Sequence, residues 1–98
     1  MMLSSKLRTL RQQADLPQRK IAAALDIDTA TYCKIEKGNY SPRRNQVVSL
    51  ANILHADEKE LITLWLADQV YGIVEYEQTA NDVLNMVAEN IIEYKKAK

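Results

Sequence analysis

Four side chains share one outward face of residues 29–37 when this segment is drawn as a helix: Thr29, Ala30, Cys33 and Lys34. A lysine amine can donate to O6 and N7 of guanine, and the methyl groups of threonine and alanine can contact that of thymine. Because the set is short and mostly weak in hydrogen bonding, it leaves room for readout of DNA shape. These side chains have the chemistry needed to contact DNA bases.

Polar and basic residues flank this face along the chain. Lys37, Asn39, Arg43 and Arg44 follow it, and all are suited to contacting phosphates. Arg43 could also reach into a narrow minor groove. Arg19, before the face, is a weaker phosphate candidate. We therefore predict backbone contacts around a base-reading helix.

The other reactive residues form no catalytic or metal-binding pattern. Cys33 is the single cysteine and His55 the single histidine, so neither a disulfide nor a zinc cluster is expected. A redox role for Cys33 would have no second thiol in the chain to support it. The sequence also contains no glycine-rich phosphate loop. We predict a protein that is not an enzyme and uses no metal or cofactor.

Residues 18–38 must position the base-reading face, and they predict two short helices joined by a tight turn. Asp26 tolerates the left-handed conformation of such turns. Asp28 is a strong N-cap candidate, and Gly38 stands where a glycine ends a helix. The apolar residues that give the helical spacing are Ile21, Ala22, Leu25, Tyr32 and Ile35.

This segment resembles the lambda-repressor-like (Cro/Xre) helix-turn-helix family. The family pattern is Gln-x-x-apolar-Ala, a turn, a capping residue, a recognition helix and apolar-Glu-x-Gly. It is matched here by Gln18, Ile21, Ala22, Asp26, Ile27, Asp28, Ile35, Glu36 and Gly38. The sequence departs from the pattern with Asp26 for glycine, Pro17 for a capping hydroxyl residue and Asp28 for serine or threonine.

The resemblance implies both a fold and residue roles. The fold is all-α, a five-helix lambda-repressor-like DNA-binding domain over about residues 4–66 with an added C-terminal helix. Gln18 matches the position whose amide contacts a phosphate or braces the recognition helix. Arg11 and Glu36 match a pair that forms a buried ion bridge, and the outward residues of 29–37 match the base-reading positions.

Charge is divided unequally along a chain whose net charge is zero. Residues 1–56 carry nine lysines or arginines and four acidic residues, a net charge of +5. Residues 57–98 carry four lysines and nine acidic residues, a net charge of −5. The basic part contains the helix-turn-helix pattern and can neutralise phosphates, so we expect the acidic part to project away from DNA.

The remaining helices are predicted from caps and periodicity. The first covers Ser5–Ala14 with Ser4 as its cap, and the fourth begins at Ser41-Pro42. Asp57 and Glu60 form a capping-box-like start for the fifth, which is apolar nearly all round from residue 61 to residue 74. The last helix spans about residues 78–95.

The C-terminal part predicts an interface. Ala80, Leu84, Val87, Ile91 and Tyr94 follow the spacing of a coiled-coil seam. Whether this helix packs within its own chain or across a dimer is open. We predict a DNA-binding domain at residues 1–66 and a helical extension at residues 67–98 that holds a homodimer. The predicted dimer residues are Trp65, Val70, Ile73, Leu84, Val87 and Ile91.

These features predict a homodimeric, sequence-specific regulator of transcription that binds a pseudo-palindromic site in double-stranded DNA. The family resemblance implies that it is a repressor. The leading alternative is a protein-interaction module, such as an antitoxin that masks a partner with its C-terminal helices. A second alternative, a bridging factor without DNA binding, is disfavoured by Lys34, Lys37, Arg43 and Arg44. Because no signal peptide or membrane-length apolar run is visible, we expect a cytoplasmic protein without membrane contact.

Overall fold

The computed structural model describes residues 1–97, which form six helices and no strand. The helices are α1 (Met2–Gln13), α2 (Gln18–Ala24), α3 (Thr29–Lys37), α4 (Arg44–Ile53), α5 (Glu58–Val74) and α6 (Ala80–Ala97). The predicted all-α class is confirmed. Backbone contacts divide the chain into a unit of residues 1–68, here called the N-terminal unit, and a C-terminal unit that begins at Gln69.

The N-terminal unit has one apolar core to which each of its five helices contributes. Its fully buried side chains are Leu7, Ile21, Tyr32, Ile35, Val47, Leu50 and Leu61. Burying an aliphatic side chain of this size contributes about 1.5–3 kcal/mol. Within this unit, α3 packs against α1 and α2, and α2 packs against α4. The core therefore fixes the position of the helix that carries the base-reading face.

The turn between α2 and α3 is built as the sequence predicts. Asp26 is left-handed, with φ of 59°, and the amide of Ile27 donates to the carbonyl of Ala22 at 3.0 Å. Asp28 caps α3, because its carboxylate accepts from the amide of Thr31 at 2.7 Å. Gly38 ends α3 with φ of 79°. A Cβ atom there would lie 2.8 Å from Cγ of Met1, so another residue would have to displace the Met1 side chain as well as adopt a left-handed backbone.

The start of α1 differs from the prediction. The helix begins at Met2 rather than Ser5, and Ser4 is buried inside it, with its hydroxyl donating to the carbonyl of Met1 at 2.9 Å. The cap comes from α5 instead. The carboxylate of Asp68 accepts from the amides of Met2 and Leu3 at 2.9 and 3.0 Å. A distant carboxylate thus satisfies two amides that a helix start leaves without partners.

The predicted start of α4 is also wrong. Helix α4 begins at Arg44 rather than at Ser41-Pro42. The side chain of Gln46 folds back and accepts from the amide of Arg43 at 2.8 Å, which is one half of a capping box. The carbonyl of Pro42 accepts from the Trp65 indole at 2.8 Å, and this contact engages Pro42 outside the helix.

The predicted reciprocal cap of α5 is only half present. Asp57 accepts from the amide of Lys59 at 3.3 Å. The carboxylate of Glu60, however, pairs with the amine of Lys6 on α1 at 3.0 Å. A nearby cation has replaced the backbone amide as the partner of Glu60.

The C-terminal unit contains the end of α5 and the whole of α6. Helix α5 continues without a break through Gly72 to Val74, and α6 begins at Ala80, two residues after the predicted start. None of the helices in residues 1–97 combines the length and the apolar character needed to cross a membrane.

Candidate DNA interface

Helix α3 presents the predicted base-reading face to solvent with one exception. Thr29, Ala30 and Lys34 are exposed, whereas Cys33 is only partly accessible. Asp28, at the start of the helix, is exposed as well. Hydrogen bonds from Thr31 lower the pKa of this carboxyl, so it is ionised at the near-neutral pH at which DNA binding is measured. The base-reading face therefore carries one cation at Lys34 and one anion at its edge.

Cys33 points toward α2. Its thiol donates to Oε1 of Gln18 at 2.9 Å, and Nε2 of Gln18 donates to Oε1 of Glu36 at 3.3 Å. Gln18 thus links two positions of α3 and braces this helix, which is one of the two roles that the family resemblance implied for it. The contact engages the thiol within the unit, which does not favour the predicted base contact by Cys33.

Arg11 and Glu36 form a bidentate ion pair beneath α3. Nε and Nη2 of Arg11 lie 2.6 and 3.1 Å from the two oxygens of Glu36, and Nη1 donates to the carbonyl of Leu16 at 3.0 Å. The side chain of Arg11 is 15% exposed and that of Glu36 only 3%. The pair therefore connects α1 to α3 from inside the unit, where it cannot serve as a DNA contact.

The protonation states of this cluster follow from its contacts. Burial works to raise the pKa of Glu36, but hydrogen bonding and charge, chiefly from Arg11, outweigh it and hold that pKa below its usual range. The hydrogen bond to Glu36 also raises the pKa of Arg11. Burial raises the pKa of the Tyr32 phenol. The phenol oxygen lies beside Glu36 but does not meet the distance and angle limits of a hydrogen bond. The cluster is thus an ionised pair beside a neutral phenol.

The predicted phosphate-contacting residues are exposed on three elements. Arg19 lies on α2, Lys37 ends α3, and Asn39 and Arg43 lie on the connection to α4. Arg44 is exposed too, but its guanidinium carbon stands 6.0 Å from the centre of the Trp65 ring. This distance is at the outer limit of a cation–π contact, which would join Arg44 to α5.

Trp65 makes contacts within the N-terminal unit. It is partly buried, packs against the core, and donates from its indole to Pro42. These contacts do not favour its predicted place in a dimer surface. Val70, Ile73, Leu84, Val87 and Ile91, the other predicted dimer residues, are all exposed, from 40% for Leu84 to 76% for Ile73.

Two residues that support the interface were not predicted from the sequence. Asp68 anchors α1, and Gln46 fixes the start of α4 next to Arg43. Asp68 did carry a signal, because it is a lone acidic residue in the apolar stretch of α5. Residues 1–97 contain no group of three or more histidine, cysteine, aspartate or glutamate side chains placed to hold a metal ion.

Residues 3–64 match the protein family described as "Helix-turn-helix domain". The chain belongs to the helix-turn-helix DNA-binding family. The cryptic phage CTXphi transcriptional repressor RstR of Vibrio cholerae is 37% identical over 62 residues, which are 63% of this chain and 56% of the repressor. The chain therefore spans little more than half the length of that relative. No solved structure matches significantly.

The match extends from α1 into α5, so it contains the helix-turn-helix, the ion pair and the brace from Gln18. The predicted lambda-repressor-like (Xre) resemblance is confirmed. Asp68 and all of α6 lie outside the family match.

Proposed function

We propose that this helix-turn-helix protein is a sequence-specific regulator of transcription that acts as a homodimer on a pseudo-palindromic operator in double-stranded DNA. Repression is the outcome that the RstR relative suggests. Its mode would be occupancy of a promoter. Such a protein would work where the DNA is, in the cytoplasm, and would bind without chemistry. The observation that carries the proposal is the exposed face of α3, held by contacts from both α1 and α2.

Base contacts are assigned to Thr29, Ala30 and Lys34, which are exposed on α3. Lysine donates to guanine, and the two methyl-bearing residues suit thymine. Backbone contacts are assigned to Arg19, Lys37, Asn39, Arg43 and Arg44, with Arg44 leaving the Trp65 ring to reach a phosphate. Gln18 and Cys33 are assigned to positioning α3, since they bond to each other.

Selection of bound sequences from random duplex DNA, at near-physiological salt, tests this proposal. The wild type should enrich one two-fold symmetric sequence, and Lys34→Ala should lose preference at defined positions at a cost of about 1–3 kcal/mol. Arg43→Ala and Lys37→Ala should weaken binding to all duplexes and make its salt dependence shallower by about one phosphate contact each.

Lys59→Ala is the matched control, because it removes the same charge from an exposed lysine at the start of α5. It should leave both selectivity and salt dependence unchanged. If the wild type enriches no sequence, sequence-specific regulation is the wrong function for this protein.

A protein-interaction module, such as an antitoxin, is the second candidate. It is favoured by the apolar residues that the C-terminal unit exposes, among them Ile73, Val87 and Ile91. The two functions differ in what the C-terminal unit binds. A homodimer in the purified wild type, by light scattering behind a sizing column, supports self-association through this surface, whereas a monomer with an intact DNA-binding unit favours a different protein partner.

A further inference from the structure

The carboxylate of Asp28, at the start of α3, has acceptor capacity that the cap of this helix does not use. Its Oδ1 accepts from the amide of Thr31 at 2.7 Å. A carboxylate has about four lone-pair sites, so acceptor sites remain after this bond is made. The side chain is exposed, and the cap bond restricts where it can point. Asp28 therefore presents an oriented acceptor directly before Thr29, the first residue of the base-reading face.

The position of Asp28 favours a base edge as its partner. A recognition helix of this motif contacts base edges with its N-terminal residues. Asp28 directly precedes α3 and has an extended backbone, so its side chain lies at the leading end of the helix. Hydrogen bonds from Thr31 and, to a smaller extent, the charge of Lys34 lower the pKa of Asp28. The carboxylate is thus close enough to interact with a cation of the base-reading face.

A negative charge at a DNA surface has a cost that capping alone does not require. Asparagine and serine cap helices about as well as aspartate, and neither repels a phosphate. An ionised carboxylate differs from both because it only accepts hydrogen bonds. In the major groove this suits N4 of cytosine, a donor, whereas guanine and thymine present acceptors there. Adenine presents the acceptor N7 beside its amino group, so cytosine matches a carboxylate best.

We propose that Asp28 determines specificity by accepting a hydrogen bond from N4 of one cytosine in each half-site and by disfavouring guanine and thymine at that place. This inference rests on the proposed function and adds one base to the operator. It also accounts for the departure from the family pattern at position 28, where serine or threonine is usual.

Two substitutions at position 28 keep the cap but change what it presents to DNA. In Asp28→Ser, the preference for cytosine at one position of a half-site should fall from about fivefold or more to within about twofold. In Asp28→Asn, the amide oxygen retains the bond to Thr31, and the amino group replaces the free acceptor. The preferred base should therefore change to guanine or thymine. Selection from random duplex DNA, followed by titration of the selected duplexes, measures both effects.

Asp26→Asn is the matched control, because it makes the same chemical change at an exposed residue of the preceding turn. Asparagine tolerates the left-handed backbone of this position. Both Asn variants remove one negative charge from the N-terminal unit, so both should bind random duplexes up to about threefold more tightly. Base preference should change in Asp28→Asn alone. An equal change in Asp26→Asn would assign the effect to charge and overturn the contact with cytosine.

A change in the DNA tests the same contact with the unaltered protein. Replacing the selected cytosine of one half-site by pyrimidin-2-one removes the N4 amino group. This should weaken binding by the wild type about fivefold more than binding by Asp28→Ser. Equal losses, or an enriched sequence without a required cytosine, would reduce Asp28 to a cap and leave the proposed function standing. A wild type that enriches no sequence would overturn the proposed function together with this contact.

Discussion

Glu36 accepts hydrogen bonds from two other helices, from Arg11 on α1 and Gln18 on α2, while its own side chain is almost fully buried. Residues at a DNA surface are expected to be charged and accessible, and Glu36 is charged but inaccessible. Its task is therefore to hold α3 in place. A buried charge of this kind is costly unless its partners remain. Removal of Glu36 or of Arg11 should therefore lower the stability of the fold rather than act directly on DNA recognition.

Arg11→Met and Glu36→Leu should each lower the free energy of unfolding by about 3–5 kcal/mol, because each leaves a buried charge without its partner. The double variant should lose less than the sum of the two. Denaturant melts of all four proteins measure the coupling. The pair Lys6–Glu60, at 3.0 Å but with side chains 37% and 49% exposed, is the matched control and should show at most about 1 kcal/mol of coupling. Equal coupling in both pairs would contradict the buried role.

The stability that the contact between Arg11 and Glu36 contributes should decrease in acid. Because folding lowers the pKa of Glu36, its contribution is complete above the unfolded value of about 4.5 and is lost as pH falls through the lower folded value. Unfolding free energies at a series of pH values from 7 to 2 should show a wild-type decline that is shallower in Glu36→Gln. Glu89→Gln, an exposed change on α6, should follow the wild type.

At the scale of helices, the caps differ in whether their partners are near in sequence. The Asp28 cap and the Asp26 turn are local, and both were predictable from residue type alone. The start of α1 was not, because its cap lies 66 residues away, and Ser4, a good cap by type, is inside the helix. The start of α4 was missed because Gln46 caps from within the helix while Pro42 is engaged by Trp65.

The same distinction applies to the candidate site. Helical spacing identified the exposed face of α3, and the family resemblance supplied Arg11 and Glu36. The contact between Cys33 and Gln18 was not foreseen, because spacing assigns a residue to a face but does not say where a side chain at the edge of that face points. The contacts of Trp65 with the core and with Pro42 were not foreseen for a similar reason, since an apolar pattern all round a helix does not reveal which side is covered.

Asp68→Ala should lower the free energy of unfolding by about 1–3 kcal/mol, because two amides at the start of α1 lose their acceptor. Asp68→Asn should cost less, since one oxygen remains. Faster hydrogen exchange at the amides of Met2 and Leu3 would locate the effect at the start of α1. Asp57→Ala, which removes an exposed local cap, is the control. If it lowers the free energy of unfolding as much as Asp68→Ala does, the distant cap contributes no more than a local one.

At the scale of the molecule, the exposed apolar residues of the C-terminal unit require an explanation. Monomeric proteins rarely expose large contiguous apolar patches, and those that exist often mark an interface. A homodimer would also present two recognition helices to two half-sites about one DNA turn apart. Self-association and operator symmetry are therefore linked in the proposed function.

Leu84→Glu combined with Ile91→Glu should give a monomer and abolish cooperative binding to the selected operator, because charges would enter the apolar seam. Light scattering behind a sizing column, with gel-shift titration of one and two half-sites, measures both effects. Met86→Glu places one charge on an exposed part of α6 away from the seam and should change neither. A double variant that remains dimeric would move the interface elsewhere.

The distant cap of α1 also affects the order in which the chain can fold during translation. Helix α1 leaves the ribosome before the other five helices, but the carboxylate that completes its first turn is made 66 residues later. By then the helix-turn-helix and α4 have already been synthesised. A nascent chain can therefore assemble α2 and α3 early, while the start of α1 stays frayed until α5 emerges.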